Sequence, residues 1–266
     1  MTHTVNPMRK IILLAALVSL VAGAQQDKEI LISIPEDFSF PLGQQVLNDL
    51  AKQVYSGIPV RVSTEYFPDR QSALLIKQGK VHGEIYTSKE FYDSSGIEYI
   101  SEPITTIRMA MFCLDRNECA FPDKNFIWII PKGSGVASSY CLENKIFCVS
   151  VDNSTSAFVE LLRNSGSILL MDKLSAGGVI CNSEIDKIYY RDVPELDSLA
   201  FVSIGEGMSE YVTELETNIK KLKRDGTIDA AIQRFWQALY DCNISPINVD
   251  DRFLQLTEGL VDVGTQ

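Results

Sequence analysis

YVTELETNIKKLKRDGTIDAAIQRFWQALYDC, residues 211–242, reads as two amphipathic helices joined at a glycine and closed by a cysteine. Val212, Leu215, Ile219 and Leu222 recur at spacings of three and four, which places them on one helical face. After Asp225 and Gly226 the face resumes with Ile228, Ala231, Ile232, Phe235, Trp236 and Leu239. Gly226 supplies the positive φ that stops the first helix, because a residue without a Cβ enters the left-handed region at no steric cost. Such a hairpin has an apolar face to bury and must close a larger core.

The rest of the chain can build that core. Of its 266 residues 45% are hydrophobic, enough for one large domain or two of ordinary size. The net charge of −11 argues against a nucleic-acid partner, since phosphate binding needs a basic face that releases counterions. Arg9 and Lys10, the apolar run Ile11 to Val21 and the Ala22-Gly23-Ala24 stretch read as a signal peptide cut after Ala24. The run is about half the roughly 20 residues that a spanning helix needs. No cysteine follows it to take a lipid anchor. The expectation is a soluble, periplasmic protein.

All six cysteines, Cys113, Cys119, Cys141, Cys148, Cys181 and Cys242, follow the leader. In an exported protein an even set reads as disulfides, and six cysteines permit about fifteen pairings. Proximity suggests Cys113 with Cys119 and Cys141 with Cys148, which leaves Cys181 with Cys242. No CxxC pair occurs and His82 is the one histidine past the leader, so neither metal nor cofactor is expected.

Taken in order, EILISIP (29–35) is an apolar run ended by Pro35, the pattern of a strand buried on both faces of a parallel sheet. A polar and aromatic loop, EDFSFP (36–41), follows. The stripe Val46, Leu50 and Val54 predicts a helix over 42–55, and PVRVSTEYF (59–67) a second strand, completing a βαβ unit. A helix from Asp69 to Gly79 leads into a third strand, KVHGEIYT (80–87). Further strands are predicted at IRMAMFCL (107–114), NFIWIIP (125–131), FCVSV (147–151), SILLM (167–171) and LAFVSIG (199–205). Asn153-Ser154-Thr155 caps the helix AFVELLR, and the tail residues Phe253, Leu254, Leu256 and Leu260 can form one more helix.

Two of these segments carry a resemblance. LKRDGTIDAAIQRFW (222–236) resembles the closing helices of type II periplasmic binding proteins, in particular the family-3 solute-binding proteins that capture amino acids and related solutes. LLIKQGKVHGEIYT (74–87) is similar to their helix, glycine turn and strand, with His82 where an aspartate is usual. The resemblance spans about residues 28–240 at the level of order and motif. It implies a two-lobed α/β fold, each lobe a mainly parallel sheet flanked by helices, with hinge crossovers. The expected divisions are 1–24 for the signal peptide, 25–107 and 205–242 for lobe one, 108–204 for lobe two and 243–266 for a C-terminal extension. It also supports the Cys181–Cys242 pairing, because glutamate-receptor ligand-binding domains tie their second lobe to the segment after the final helix. In the chain-entropy model such a loop contributes roughly 4 kcal/mol.

In this architecture the ligand lies between the lobes at the carboxyl ends of the strands, and binding closes the hinge. The resemblance therefore points to Phe38 and Phe40 beside Glu36 and Asp37, to Tyr66 and Phe67, and to Tyr86, Thr87 and Lys89. From lobe two it points to Ser134 and Gly135 and to Ser154 and Thr155, at two helix N-termini suited to anionic groups. The bland reading of the same residues is packing for the aromatics and capping for the hydroxyls. Family members that bind α-amino acids usually carry an arginine after the third strand, whose planar fork grips the carboxylate. Here the chain reads TSKE, and Lys89 brings charge without the fork; Arg108 is the nearest substitute, at a strand start.

The function implied is a monomeric, non-enzymatic binding protein. It captures a small polar ligand, amino-acid-like or an organic anion, for an ABC transporter permease or a membrane sensor. An interaction or scaffold role on the same fold is the first alternative. A dehydratase-like enzyme is the second, since exported cyclohexadienyl dehydratases resemble this family. That chemistry needs a carboxyl group with a raised pKa, and Glu36, Glu65 and Glu84 are the acids at hand.

Overall fold

The structure, a computed structural model, describes residues 28–240 and 245–250. The expected signal peptide, Cys242 and the expected tail helix lie outside the described residues. The chain begins with β1 (Lys28–Pro35), α1 (Pro41–Tyr55), β2 (Val60–Phe67), α2 (Asp69–Lys77), β3 (Gly83–Ser88) and α3 (Lys89–Ser95). β4 (Thr105–Ile107) and β5 (Met109–Cys113) follow, then α4 (Arg116–Ala120), β6 (Ile127–Pro131), α5 (Gly135–Glu143) and β7 (Cys148–Val151). Next come α6 (Ser154–Arg163), β8 (Ser167–Asp172), α7 (Lys173–Cys181), β9 (Lys187–Asp192) and β10 (Ser198–Val202). The helices α8 (Val212–Arg224) and α9 (Thr227–Tyr240) precede the last strand, β11 (Ser245–Asn248).

The strands form two sheets, β2-β1-β3-β10-β4 and β11-β9-β5-β8-β6-β7. In the first, β2, β1 and β3 pair in parallel while β10 runs antiparallel to both β3 and β4. In the second, β5 is antiparallel to β8 and β9, and the other pairings are parallel. Each sheet therefore has one reversed strand, and in each it is a strand that has just arrived from the other sheet. Arg108 alone separates β4 from β5 at the first crossing. The second crossing, between β9 and β10, is fastened beside it, where Asp197 Oδ1 accepts the Met109 N–H at 3.0 Å.

The hairpin read first in the sequence seals the first lobe. Leu215, Ile219 and Leu222 of α8 and Ile228, Ala231 and Phe235 of α9 join one core with Ile30, Ile32 and Ile34 of β1 and Val46, Leu50 and Val54 of α1. Gly226 has φ +77°, as its place between the helices requires. Asp225 Oδ1 accepts the Thr227 N–H at 3.1 Å and so caps α9. The second sheet is covered on both faces. Alternation along β5 sends Met109, Met111 and Cys113 into one core and Ala110 and Phe112 into the other.

Two placements differ from the sequence expectation. β10 hydrogen-bonds into the first sheet, although residues through 204 were assigned to lobe two. β11, in the expected C-terminal extension, pairs in parallel with β9 and adds an edge to the second sheet. Disulfides join Cys113 to Cys119 and Cys141 to Cys148. Cys181 is also disulfide-bonded, and its expected partner, Cys242, falls outside the described residues.

Candidate functional site: the cleft between the sheets

A cavity of about 110 Å³ opens between the carboxyl ends of β1 and β3 on one side and β6 and β8 on the other. It is somewhat smaller than the roughly 150 Å³ cavity that holds a benzene, so in this state it takes only a small solute. The first lobe lines it with Asp37, Phe38, Tyr86, Thr87, Ser88 and Phe91, and the second with Lys132 to Val136, Ser154, Met171, Asp172 and Ser175.

Local sequence explains how each polar group arrives there. Pro35 ends β1 and a single 3-10 turn, Glu36–Phe38, sets Asp37 at the mouth and Phe38 inward. Asn153, in extended backbone, caps α6 by accepting the Ser156 N–H at 2.8 Å. That leaves the buried Ser154 hydroxyl to reach across the cleft, where it donates to Asp37 Oδ2 at 2.5 Å. Asp172 ends β8 and caps α7, accepting the Ser175 N–H at 2.9 Å. Ser134 caps α5 by accepting the Ala137 N–H at 3.4 Å.

The electrostatics of the cleft are set by its acids. Asp172 opens onto the cavity but is otherwise enclosed by protein. Desolvation pushes its pKa up to about 6, opposed by hydrogen bonds from Ser175 and reinforced by the charge of Asp37. Desolvation also raises Asp37, against the hydrogen bond from Ser154. Tyr86 is 4% exposed, and its hydroxyl finds no hydrogen-bond partner among the described residues. Burial drives that hydroxyl well above the ordinary tyrosine range; Asp172 adds to the shift and Arg108 opposes it. The Tyr86 backbone is left-handed, at φ +68°, a conformation that costs a side chain with a Cβ about 1–2 kcal/mol. Its ring meets that of Phe38 edge-on, with centroids 5.1 Å apart.

Of the residues that the sequence singled out, Phe38, Tyr86, Thr87, Ser134, Gly135 and Ser154 line this cavity. Phe40 lies beside it as an interlobe contact, because a Cβ on Gly178 of α7 would stand 2.2 Å from its ring. Thr155 lines a second depression with Phe40 and Gly178. Tyr66 faces away and donates its hydroxyl to Asn48 Oδ1 at 2.9 Å, and Phe67 packs in a separate core with Tyr92 and Phe201. Lys89 is exposed and paired with Asp93. Arg108 lines a different cavity, behind the hinge, with Lys173, Leu174 and Asp229. None of these last four lines the cleft. His82 holds a backbone strand instead, accepting the Leu31 N–H on Nδ1 at 3.1 Å.

The sequence named Asp37 only as a loop neighbour and missed Asp172, Ser175 and Lys132. A signal was present: an acid directly after the apolar run SILLM, with serine three residues on, is a helix start at a strand end. Among the described residues Lys132 is the one cation lining the cleft, and its amine is held by Asp152 at 2.7 Å.

This geometry is that of the type II periplasmic-binding-protein fold: two sheets, hinge crossings between them and a cavity where their strands end. Solved structures agree. An amino-acid ABC transporter substrate-binding protein from Streptococcus pneumoniae, bound to L-arginine, superposes with TM-score 0.63 at 16% identity, over 79% of this chain and 95% of that one. The GluR0 ligand-binding core from Nostoc punctiforme, in complex with L-glutamate, gives 0.62 at 14%, over 77% and 98%. An ancestral amino-acid-binding protein described as a precursor of cyclohexadienyl dehydratase gives 0.59 at 15%, over 83% and 98%. No protein-family model and no curated protein matches the chain by sequence. Among the described residues no helix is long and apolar enough to cross a membrane.

Proposed function

We propose that this protein is an exported solute-binding protein that closes its two lobes on a small polar molecule. It then hands the molecule to an ABC transporter permease or presents it to a membrane sensor. The observation that carries this reading is the cavity itself, walled by strand ends of both sheets and bridged by the Asp37–Ser154 hydrogen bond. Structures with the same fold are described as bound to arginine and glutamate, which supports a small polar ligand. The leader expected from the sequence of residues 1–24 and the disulfides support a periplasmic location.

The test is a thermal-shift screen of the disulfide-intact protein against amino acids, amines, dicarboxylates, sugars and short peptides. A ligand at a hundred times its Kd stabilises by about 2.7 kcal/mol, a shift easily read. Silence across the panel would sink the reading. A dehydratase-like activity is the second reading, favoured by the raised pKa of Asp172 at the cleft floor, a property suited to a general acid. Absence of turnover of a cyclohexadienyl substrate, with Asp172→Asn as control, would remove it.

A further inference from the structure

The charges around the cleft do not balance. Asp37 and Asp172 both face it, while its one lining cation, Lys132, is exposed at the rim and already engaged with Asp152. Arg108, the candidate for gripping a carboxylate, lines the cavity behind the hinge, and its charge reaches the cleft only as far as the Tyr86 hydroxyl. Lys89 is held by Asp93 outside. A carboxylate ligand entering here would meet two like charges and no free guanidinium fork, an arrangement that rejects it by repulsion.

The remaining features suit a positive charge. The Tyr86 hydroxyl is buried in the cavity wall without a hydrogen-bond partner among the described residues, and an unmet polar group of this kind is costly unless something binds it. The oxygen itself is covered by protein, so an N–H of the occupant reaches it once the wall gives slightly. Phe38 and Tyr86 place two aromatic rings in the wall, and aromatic rings attract cations. Ser154 and Ser175 hold Asp37 and Asp172 in place as acceptors. A metal ion is the poorer occupant, because no group of three His, Cys, Asp or Glu among the described residues gathers to hold one.

We propose that the cleft selects a small organic cation without a carboxylate, an amine or guanidinium compound held between Asp37 and Asp172 against Tyr86. The inference rests on the solute-binding reading and adds the chemical class. The small cavity favours a compact molecule.

The test compares agmatine with arginine, which differ by one carboxylate, alongside putrescine, choline and glutamate. Titration calorimetry is run on the disulfide-intact protein. At least one carboxylate-free cation is expected to bind, and agmatine is expected to bind about tenfold or more tightly than arginine. Asp37→Asn and Asp172→Asn should each weaken cation binding by about tenfold or more, the value of a hydrogen bond to a charged group. Tyr86→Phe separates a binding role from a structural one: its melting temperature should hold or rise while its affinity falls. Binding of arginine or glutamate in preference to the amines would overturn the cation class and leave solute binding standing. Silence from every compound would overturn the cation class, while the wider thermal-shift panel decides solute binding. Cation binding unaffected by all three substitutions would show that it occurs elsewhere and end the proposal.

Discussion

Asp172→Asn is the perturbation whose outcome follows most directly from the geometry. The folded protein holds the Asp172 proton with a pKa of about 6, against an ordinary value of 3.8, because the carboxylate is largely desolvated and faces Asp37. A raised carboxyl pKa means that the folded state binds more protons than the unfolded state between those two values. The group's contribution is therefore most favourable below about pH 4 and is lost as pH rises towards and through 6. A shift of about two pH units corresponds to about 3 kcal/mol. Because Asp172 opens onto the cavity, water trims this to about 1–2 kcal/mol. Asparagine mimics the protonated form and keeps an oxygen for the Ser175 N–H. The variant should match the parent at pH 4 and exceed it at pH 8, by roughly 2–8 °C in melting temperature for a chain of this size. Differential scanning fluorimetry at the two pH values, with disulfides intact, reads the difference. A melting-temperature gap that does not change with pH would refute the reasoning, as would a parent more stable than the variant at pH 8.

Other consequences are equally checkable. Ser154→Ala removes the donor that bridges the lobes to Asp37, worth about 1.5–3 kcal/mol as a hydrogen bond to a charged group, so the unliganded protein should open. An unchanged radius of gyration in small-angle scattering would count against that. Gly178→Ala gains about 1 kcal/mol of helix propensity but sets a Cβ 2.2 Å from the Phe40 ring. The clash should win, with a net loss of about 1 kcal/mol. A Phe40→Ala background should reverse the sign in urea denaturation. Gly226→Ala forces a Cβ into φ +77° and should cost about 1–2 kcal/mol, lowering the melting temperature. Replacing Cys141 and Cys148 together by serine should cost about 2 kcal/mol in the same assay, the entropy of a short closed loop.

Local chemistry determined much of the fold. The hairpin of α8 and α9, its stop at Gly226, the βαβ start, the apolar strands and the two short disulfides are legible because each depends on nearby residues: a periodic face, a glycine φ, or a pair of neighbouring cysteines. α7 was not legible. Its LSAGGVI run has no polar face, since Leu174, Ser175, Ala176, Gly177, Gly178 and Ile180 are all buried, and periodicity signals only a helix with a wet side. β11 was missed for a related reason, because SPIN becomes a strand only through the edge that β9 offers it.

The site divides in the same way. Loops after strands can be read from the order of elements, and that order alone points to Phe38, Tyr86, Thr87, Ser134, Gly135 and Ser154. Which of the named residues face the cavity was decided by tertiary structure alone. Tyr66 lies at the end of β2 and Phe38 just after β1, yet one turns to Asn48 and the other into the cleft. Asp37 and Asp172 lie 135 residues apart in sequence, and only the crossings of the chain bring both acids to one cavity. A charge in a loop is ordinary. Two acids that share a poorly solvated space are a constraint on what can enter it, and that constraint exists only once the sheets face each other.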